Sequence, residues 1–297
     1  VVPFVVAALV SVLAAPRAGG SIVVLDEQTA SVSIDGGATW RTLHRVVAPD
    51  AFGHAALGAD GTLFALHGDV LDVVRGGTVT SHRVPDALRV AVSGSVVAVL
   101  RAAAVDVSGD GGATFVTRAL PAPCEDCPVE LQGMIDFTIA GGSPFVVDTS
   151  IDTCGSSDLI EWQRLVQIGS AGFQRPLAIP PADYAVRWHF GAYGWLYGTT
   201  YAGRLLAVSA AGATAVDAVG PLAVTEQIAV AHNDRVTVAM IGTTLLELVG
   251  ANARVLDAHA KPGDRLAVDG DDRPLVSDGE ELWRFSRVTG WMKLALP

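Results

Sequence analysis

The chain is poor in cysteine, in aromatic residues and in positive charge. Three cysteines in 297 residues are too few for a disulfide-built scaffold, and their odd number allows one bridge and one thiol. Cys124 and Cys127 form a C-x-x-C pair and Cys154 follows alone. A structural zinc site wants four such ligands, usually as two close pairs, so no metal ligands are expected. Lys and Arg number 20 against 31 Asp and Glu, a net charge of -11 with no basic stripe. That argues against a nucleic-acid partner, because phosphate binding needs clustered Lys and Arg. Residues 1–16 carry no charge, but the run is short of the roughly 20 apolar residues of a membrane-spanning helix. The sequence has no G-x-S-x-G elbow, P-loop, H-E-x-x-H or C-x-x-C-H, so nothing calls for a cofactor.

What is present is Val, Ala and Leu in short runs, which suits half-buried strands better than long helices. Six segments open a fresh apolar run: His54-Ala-Ala-Leu57, Arg89-Val-Ala-Val92, Asp136-Phe-Thr-Ile139, Trp188-His-Phe-Gly191, Gln227-Ile-Ala-Val230 and Arg265-Leu-Ala-Val268. Each is followed by a turn and by further short runs, with Trp291-Met-Lys-Leu294 closing the last unit. Four short strands per roughly 35–50 residues is the pattern of a propeller blade. The first run of a unit carries small residues (Ala56, Ala91, Ala229, Ala267), as strands crowding a central axis require.

Two stretches punctuate the repeats, Ser33-Ile-Asp-Gly-Gly-Ala-Thr-Trp40 and Ser108-Gly-Asp-Gly-Gly-Ala-Thr-Phe115. Asp35 and Asp110 are placed to accept hydrogen bonds from the N–H groups of a tight turn. The glycine pairs supply positive φ, and Trp40 or Phe115 is expected to pack back on its hairpin. Both stretches match S-x-D-x-G-x-T-[WF], and on this motif the chain resembles the Asp-box (BNR-repeat) β-propellers of the sialidase-like superfamily. The resemblance implies an all-β propeller of four-stranded blades. It also implies that Asp35 and Asp110 are structural and lie on the face opposite the ligand.

Six units are complete, and residues 22–40 align without a gap on residues 97–115, so seven blades are expected, with six as the alternative count. The first strand of the extra unit then has to come from residues 1–20. Composition reads that segment as a cleaved secretory signal; topology reads Ala8-Leu-Val-Ser-Val-Leu13 as the innermost strand of the first blade. Residues 21–297 form a single propeller domain on either reading. The last unit carries its own outer strand, so the ring closes by packing rather than by strand exchange.

In this topology ligands sit over the axis, where the innermost strands begin. The residues expected around that mouth are His54, Arg89, Asp136, Trp188, Gln227 and Arg265, with Arg187 and His189 beside them. Polar groups at a mouth follow from solvation alone. The sharper reading is a ring in which Arg89, Arg187 and Arg265 grip a carboxylate, Trp188 stacks on a sugar face and Asp136 acts as acid or base. Two connections, about residues 119–133 and 168–184, are long enough to be functional. The first holds Cys124 and Cys127, and a bridge from Cys154 to either of them is expected. Ser156-Ser-Asp-Leu-Ile-Glu-Trp162 resembles a degenerate Asp box.

Sialidases carry an F/Y-R-I-P stretch before the first box. Here Phe173-Gln-Arg-Pro176 is not that motif, and no arginine can be assigned to the sialidase triad by motif. The expected function is therefore a secreted or periplasmic, monomeric, non-catalytic module that binds a protein or a glycan. The alternative is a sialidase-like glycoside hydrolase, which needs two acidic groups about 5–9.5 Å apart, with Asp136, Asp148 and Glu226 as entrants. A third reading, implied by Asp-box propellers of that kind, is an assembly factor that docks on a larger partner.

Overall fold

The computed structural model describes residues 11–14, 21–26, 28–46, 54–58, 60–120, 136–140, 142–152, 159–169, 172–173, 177–178, 185–200, 205–209, 212–216, 228–233, 235–261 and 265–296. Seven antiparallel sheets, each built from consecutive strands, form a seven-bladed β-propeller. The innermost strands, in blade order, are Ser11–Ala14, His54–Leu57, Ala87–Ser93, Asp136–Ala140, Ala185–Phe190, Ile228–His232 and Arg265–Val268. Each neighbours the next, and Ser11–Ala14 lies beside Arg265–Val268, so the ring is closed. Every blade takes its strands from one continuous stretch of chain, and closure is by packing. Ser11–Ala14 pairs with Ile22–Leu25 as the first strand of blade one.

The hydrophobic pattern explains the gradient across each blade. Second strands are buried on both sides: Ile22–Leu25, Leu63–His67 and Thr237–Ile241 are almost wholly hidden. Side chains alternate along a strand, so each such strand feeds two cores. Val23 and Leu25 pack with Ala55, Leu57, Leu63 and Ala65 of blade two. Ile22 and Val24 face the other way, onto Ala267, Leu275, Leu282 and Leu294 of blade seven. A strand with two apolar neighbours reads as an unbroken apolar run rather than an alternating one. Outer strands such as Arg41–Arg45 and Thr78–Arg83 are largely exposed.

Both Ser-x-Asp turns join the third and fourth strands of their blades. Ser33 Oγ donates to Asp35 Oδ1 and accepts from the Gly37 N–H, while Asp35 accepts from the N–H groups of Ala38 and Thr39 and from Thr39 Oγ1. Ser108, Asp110, Gly112, Ala113 and Thr114 repeat this set. The hydrogen bonds, led by Thr39 Oγ1 for Asp35 and by Ser108 for Asp110, hold both carboxyls far below the usual carboxylate range.

The turn aromatics pack at the junctions between blades. Trp40 packs against the cluster shared with blade seven and donates from Nε1 to the Ala295 carbonyl at 2.6 Å. Phe115 packs on the cluster shared by blades two and three and meets His82 of blade two edge to face.

Blade four differs from the expected layout. Leu159–Gly169 is its third strand, with Trp162 opposite Ser150. Leu159 to Trp162, the end of the stretch read as a degenerate Asp box, therefore belong to the third strand and do not lie between the third and fourth strands; residues 156–158 lie outside the described residues. Beyond the third strand, Gly172–Phe173 and Leu177–Ala178 both pair with it, so the connection read as residues 168–184 includes the blade's outer edge. Pro176 stands between the two pieces in the sequence and has no N–H for a ladder.

Candidate functional site

Three adjacent innermost strands bring together His54, Arg89 and Asp136. His54 opens the strand of blade two and accepts at Nδ1 from the Val90 N–H at 3.3 Å. Arg89, in the strand of blade three, places Nη1 3.6 Å from Asp136 Oδ1. Asp136 opens the strand of blade four. Its Oδ1 accepts from the Phe137 N–H and its Oδ2 from the Phe190 N–H of blade five, at 2.9 and 2.8 Å. The arc thus reaches across four blades.

Its electrostatics follow from burial. Loss of solvent pushes the Asp136 carboxyl up to about 6, against the pull of Arg89 and the two N–H donors. Burial, with the charge of Arg89 acting the same way, pushes the His54 imidazole down to about 4. The Arg89 side chain keeps 40% of its surface exposed while that of Asp136 keeps 17%. At 3.6 Å the ion pair is longer than a direct hydrogen bond, so the Arg89 guanidinium has donors to offer an incoming acid. Titratable groups shifted by burial beside a fixed charge mark functional sites more often than ordinary surface.

The other expected mouth residues are placed differently. Trp188 is 5% exposed and packs with Val147 of blade four and with Phe190, Leu196 and Val208 of blade five. Its ring is taken up by inter-blade packing. His189 is half-buried one position on. Arg265 opens the innermost strand of blade seven, opposite Ser277; its Nη1 is buried with no hydrogen-bond partner among the described residues, against Gly279. Arg187 pairs through its backbone with Thr199, and its side chain lies outside the description. Gln227, Glu226, Cys124, Cys127 and Cys154 lie outside the described residues, as does the side chain of Asp148.

Sequence reasoning missed one cluster altogether. His44, His67 and Asp72 offer ligand atoms within 4.8 Å of one another, from positions with no recognisable spacing motif. The signal would have been the alignment of blades two and three, which sets His67 and Asp72 on Arg101 and Asp106.

No family model matches the chain, and no curated protein matches it. Solved structures do. YCF48 from Cyanidioschyzon merolae superposes with a TM-score of 0.62 at 16% identity, over 97% of this chain and 98% of that one. YCF48 bound to D1 peptide gives 0.58 at 11% identity, over 97% and 92%. Virginiamycin B lyase from Staphylococcus aureus gives 0.59 at 12% identity, over 98% and 96%. At these identities the likeness is one of fold, and the chain is a seven-bladed β-propeller similar to these three.

Proposed function

We propose that the chain is a non-catalytic Asp-box propeller that works outside the cytoplasm and binds an acidic group of a protein or glycan partner at the His54–Arg89–Asp136 arc. The observation that carries this reading is Arg89. Its guanidinium is part-exposed and stands 3.6 Å from the Asp136 carboxylate, beyond hydrogen-bond distance, so N–H donors remain for a ligand where the arc opens to solvent. A carboxylate arriving there gains charge-assisted hydrogen bonds. Both oxygens of Asp136 are already engaged by backbone N–H groups, which suits a positioning role. Similarity to a propeller solved with a peptide, YCF48 with D1 peptide, favours a peptide ligand. The test is a binding screen of the full chain against acidic peptide and sialoglycan arrays, with Arg89→Met alongside. Binding lost in Arg89→Met supports the reading; equal binding by both proteins overturns it.

A second reading, a sialidase-like glycoside hydrolase, is favoured by the same raised carboxyl, since a general acid has to be protonated near working pH. Turnover of fluorogenic sialosides or other glycosides that disappears in Asp136→Ala would replace the first reading with this one.

A further inference from the structure

His44 lies on the outermost strand of blade one, Arg41–Arg45, while His67 and Asp72 lie on the second and third strands of blade two, Leu63–His67 and Val70–Arg75. All three meet at one point of the junction. Both imidazoles turn Nε2 to the same oxygen, Asp72 Oδ2, at 2.7 and 2.8 Å. The other oxygen, Oδ1, accepts from Ser81 Oγ at 2.6 Å, which fixes the carboxylate plane. The site is largely shielded, with side-chain exposures of 12%, 12% and 6%.

Blade three shows how the fold otherwise satisfies this position. Leu66 pairs with Leu71 and Leu100 with Val105, so His67 corresponds to Arg101 and Asp72 to Asp106. Asp72 pairs with Ser81 and Asp106 with Thr117. In blade three a single guanidinium, Arg101 Nη1, stands 3.6 Å from Asp106 Oδ2 while Thr117 Oγ1 donates to Oδ1. One hydroxyl and one cation are enough for the carboxylate. Blade two keeps the carboxylate and the hydroxyl but substitutes two imidazoles, drawn from two blades, for the guanidinium. Imidazole is the common protein ligand of divalent transition metals, and guanidinium is not one.

We propose that His44 Nε2, His67 Nε2 and Asp72 Oδ2 bind a divalent transition metal, zinc foremost, that staples blade one to blade two. Donor atoms around a tetrahedral zinc, at about 2.0–2.2 Å from the metal, stand roughly 3.3 Å apart. The Nε2–Oδ2 separations have to open by only about 0.5 Å to admit the ion. In the bound state each imidazole ligates through its Nε2 lone pair and carries its proton on Nδ1, and the Asp72 carboxylate offsets one of the ion's two positive charges. The hydrogen bond from Ser81 plays the outer-shell part of orienting the ligating carboxylate. Water completes the coordination.

The experiment is calorimetric titration of ZnCl2 into the full chain, stripped with chelator, on a background in which Cys124, Cys127 and Cys154 are serine. The same background is melted with and without ZnCl2, and with CoCl2 its visible absorption reports the coordination geometry. The expected result is one zinc per chain, a higher melting temperature with zinc, and cobalt bands of a tetrahedral site. His44→Gln and His67→Gln retain a side-chain amide donor for Asp72, so each keeps the metal-free packing; each is expected to weaken zinc binding by more than about tenfold. Absence of stoichiometric binding overturns the proposal, as does zinc affinity unchanged in His44→Gln and in the variant that combines His44→Gln with His67→Gln.

Discussion

Arg284 Nη1 donates to the carbonyl oxygen of Gly36 at 3.2 Å, across 248 positions of sequence. Arg75 Nη2 makes the same bond to Gly111, again at 3.2 Å. In each case an arginine on the third strand of one blade reaches the first residue of the Gly-Gly pair in the Ser-x-Asp turn on the next. The two junctions differ in connectivity. Blades two and three are joined by the chain between them, whereas the two strand sets that meet at blades seven and one come from opposite ends of the described chain. Arg284→Met should therefore lower the melting temperature more than Arg75→Met. It should also speed amide exchange in Ile22–Leu25 ahead of global unfolding. Equal melting temperatures with unchanged exchange would mean that the apolar contacts at that junction hold the ring without the arginine.

The second residue of each Gly-Gly pair is a steric test of the same packing. Gly37 and Gly112 have φ of +93° and +89°, and a Cβ on either would stand 3.0 Å from Leu294 Cδ1 or Phe64 Cε1. Strain at positive φ and crowding by the neighbouring blade act together. Gly37→Ala and Gly112→Ala should each cost about 1–3 kcal/mol in chemical denaturation. Gly76→Ala, at φ +57° with nothing near its Cβ, should cost less, because it bears the backbone strain alone. A Gly76→Ala cost equal to the others would remove the inter-blade contact from the explanation.

The propeller was legible because its strands advertise themselves locally. Ile22-Val-Val-Leu25 and Val97-Ala-Val-Leu100 are continuous apolar runs because each faces two neighbouring blades, and glycines shortly precede both. The partners of individual residues were not legible. Trp188 looks like an exposed mouth aromatic by its place in the repeat, but packing between blades four and five claims it. His44 and Asp72 are 28 positions apart in different blades, and no local spacing rule joins them. The edge of blade four was hidden for another reason. Its two-residue pieces are too short to show alternation, and Pro176 lies between them.

Arg89 is the common neighbour of two shifted groups, and its removal has a definite sign for both. Its positive charge opposes protonation of His54 and favours ionisation of Asp136. Arg89→Met should raise the His54 titration from about 4 towards its ordinary 6.5 and move Asp136 further above about 6. Nuclear magnetic resonance of labelled His and Asp side chains reads both. Shifts in opposite directions would sink the arc as a coupled unit.

The same two groups act against each other on stability. At Asp136 the folded chain holds a proton up to about 6, while the unfolded chain releases it near 3.8. Between those values the folded state binds more protons, so this term stabilises at low pH and is lost as pH rises through the window. At His54 the folded chain releases its proton near 4 and the unfolded chain near 6.5. There the unfolded state binds more protons, and the term makes stability rise with pH over almost the same span. The two slopes largely cancel in the native chain between pH 4 and 6. Asp136→Asn leaves the His54 term alone, so its unfolding free energy should climb with pH. His54→Asn leaves the Asp136 term, so its stability should fall. Each slope is at most about 1.4 kcal/mol per pH unit. Urea denaturation at pH 4, 5, 6 and 7 checks this, and slopes of the same sign in the two variants would show that burial does not set the charge state of the arc.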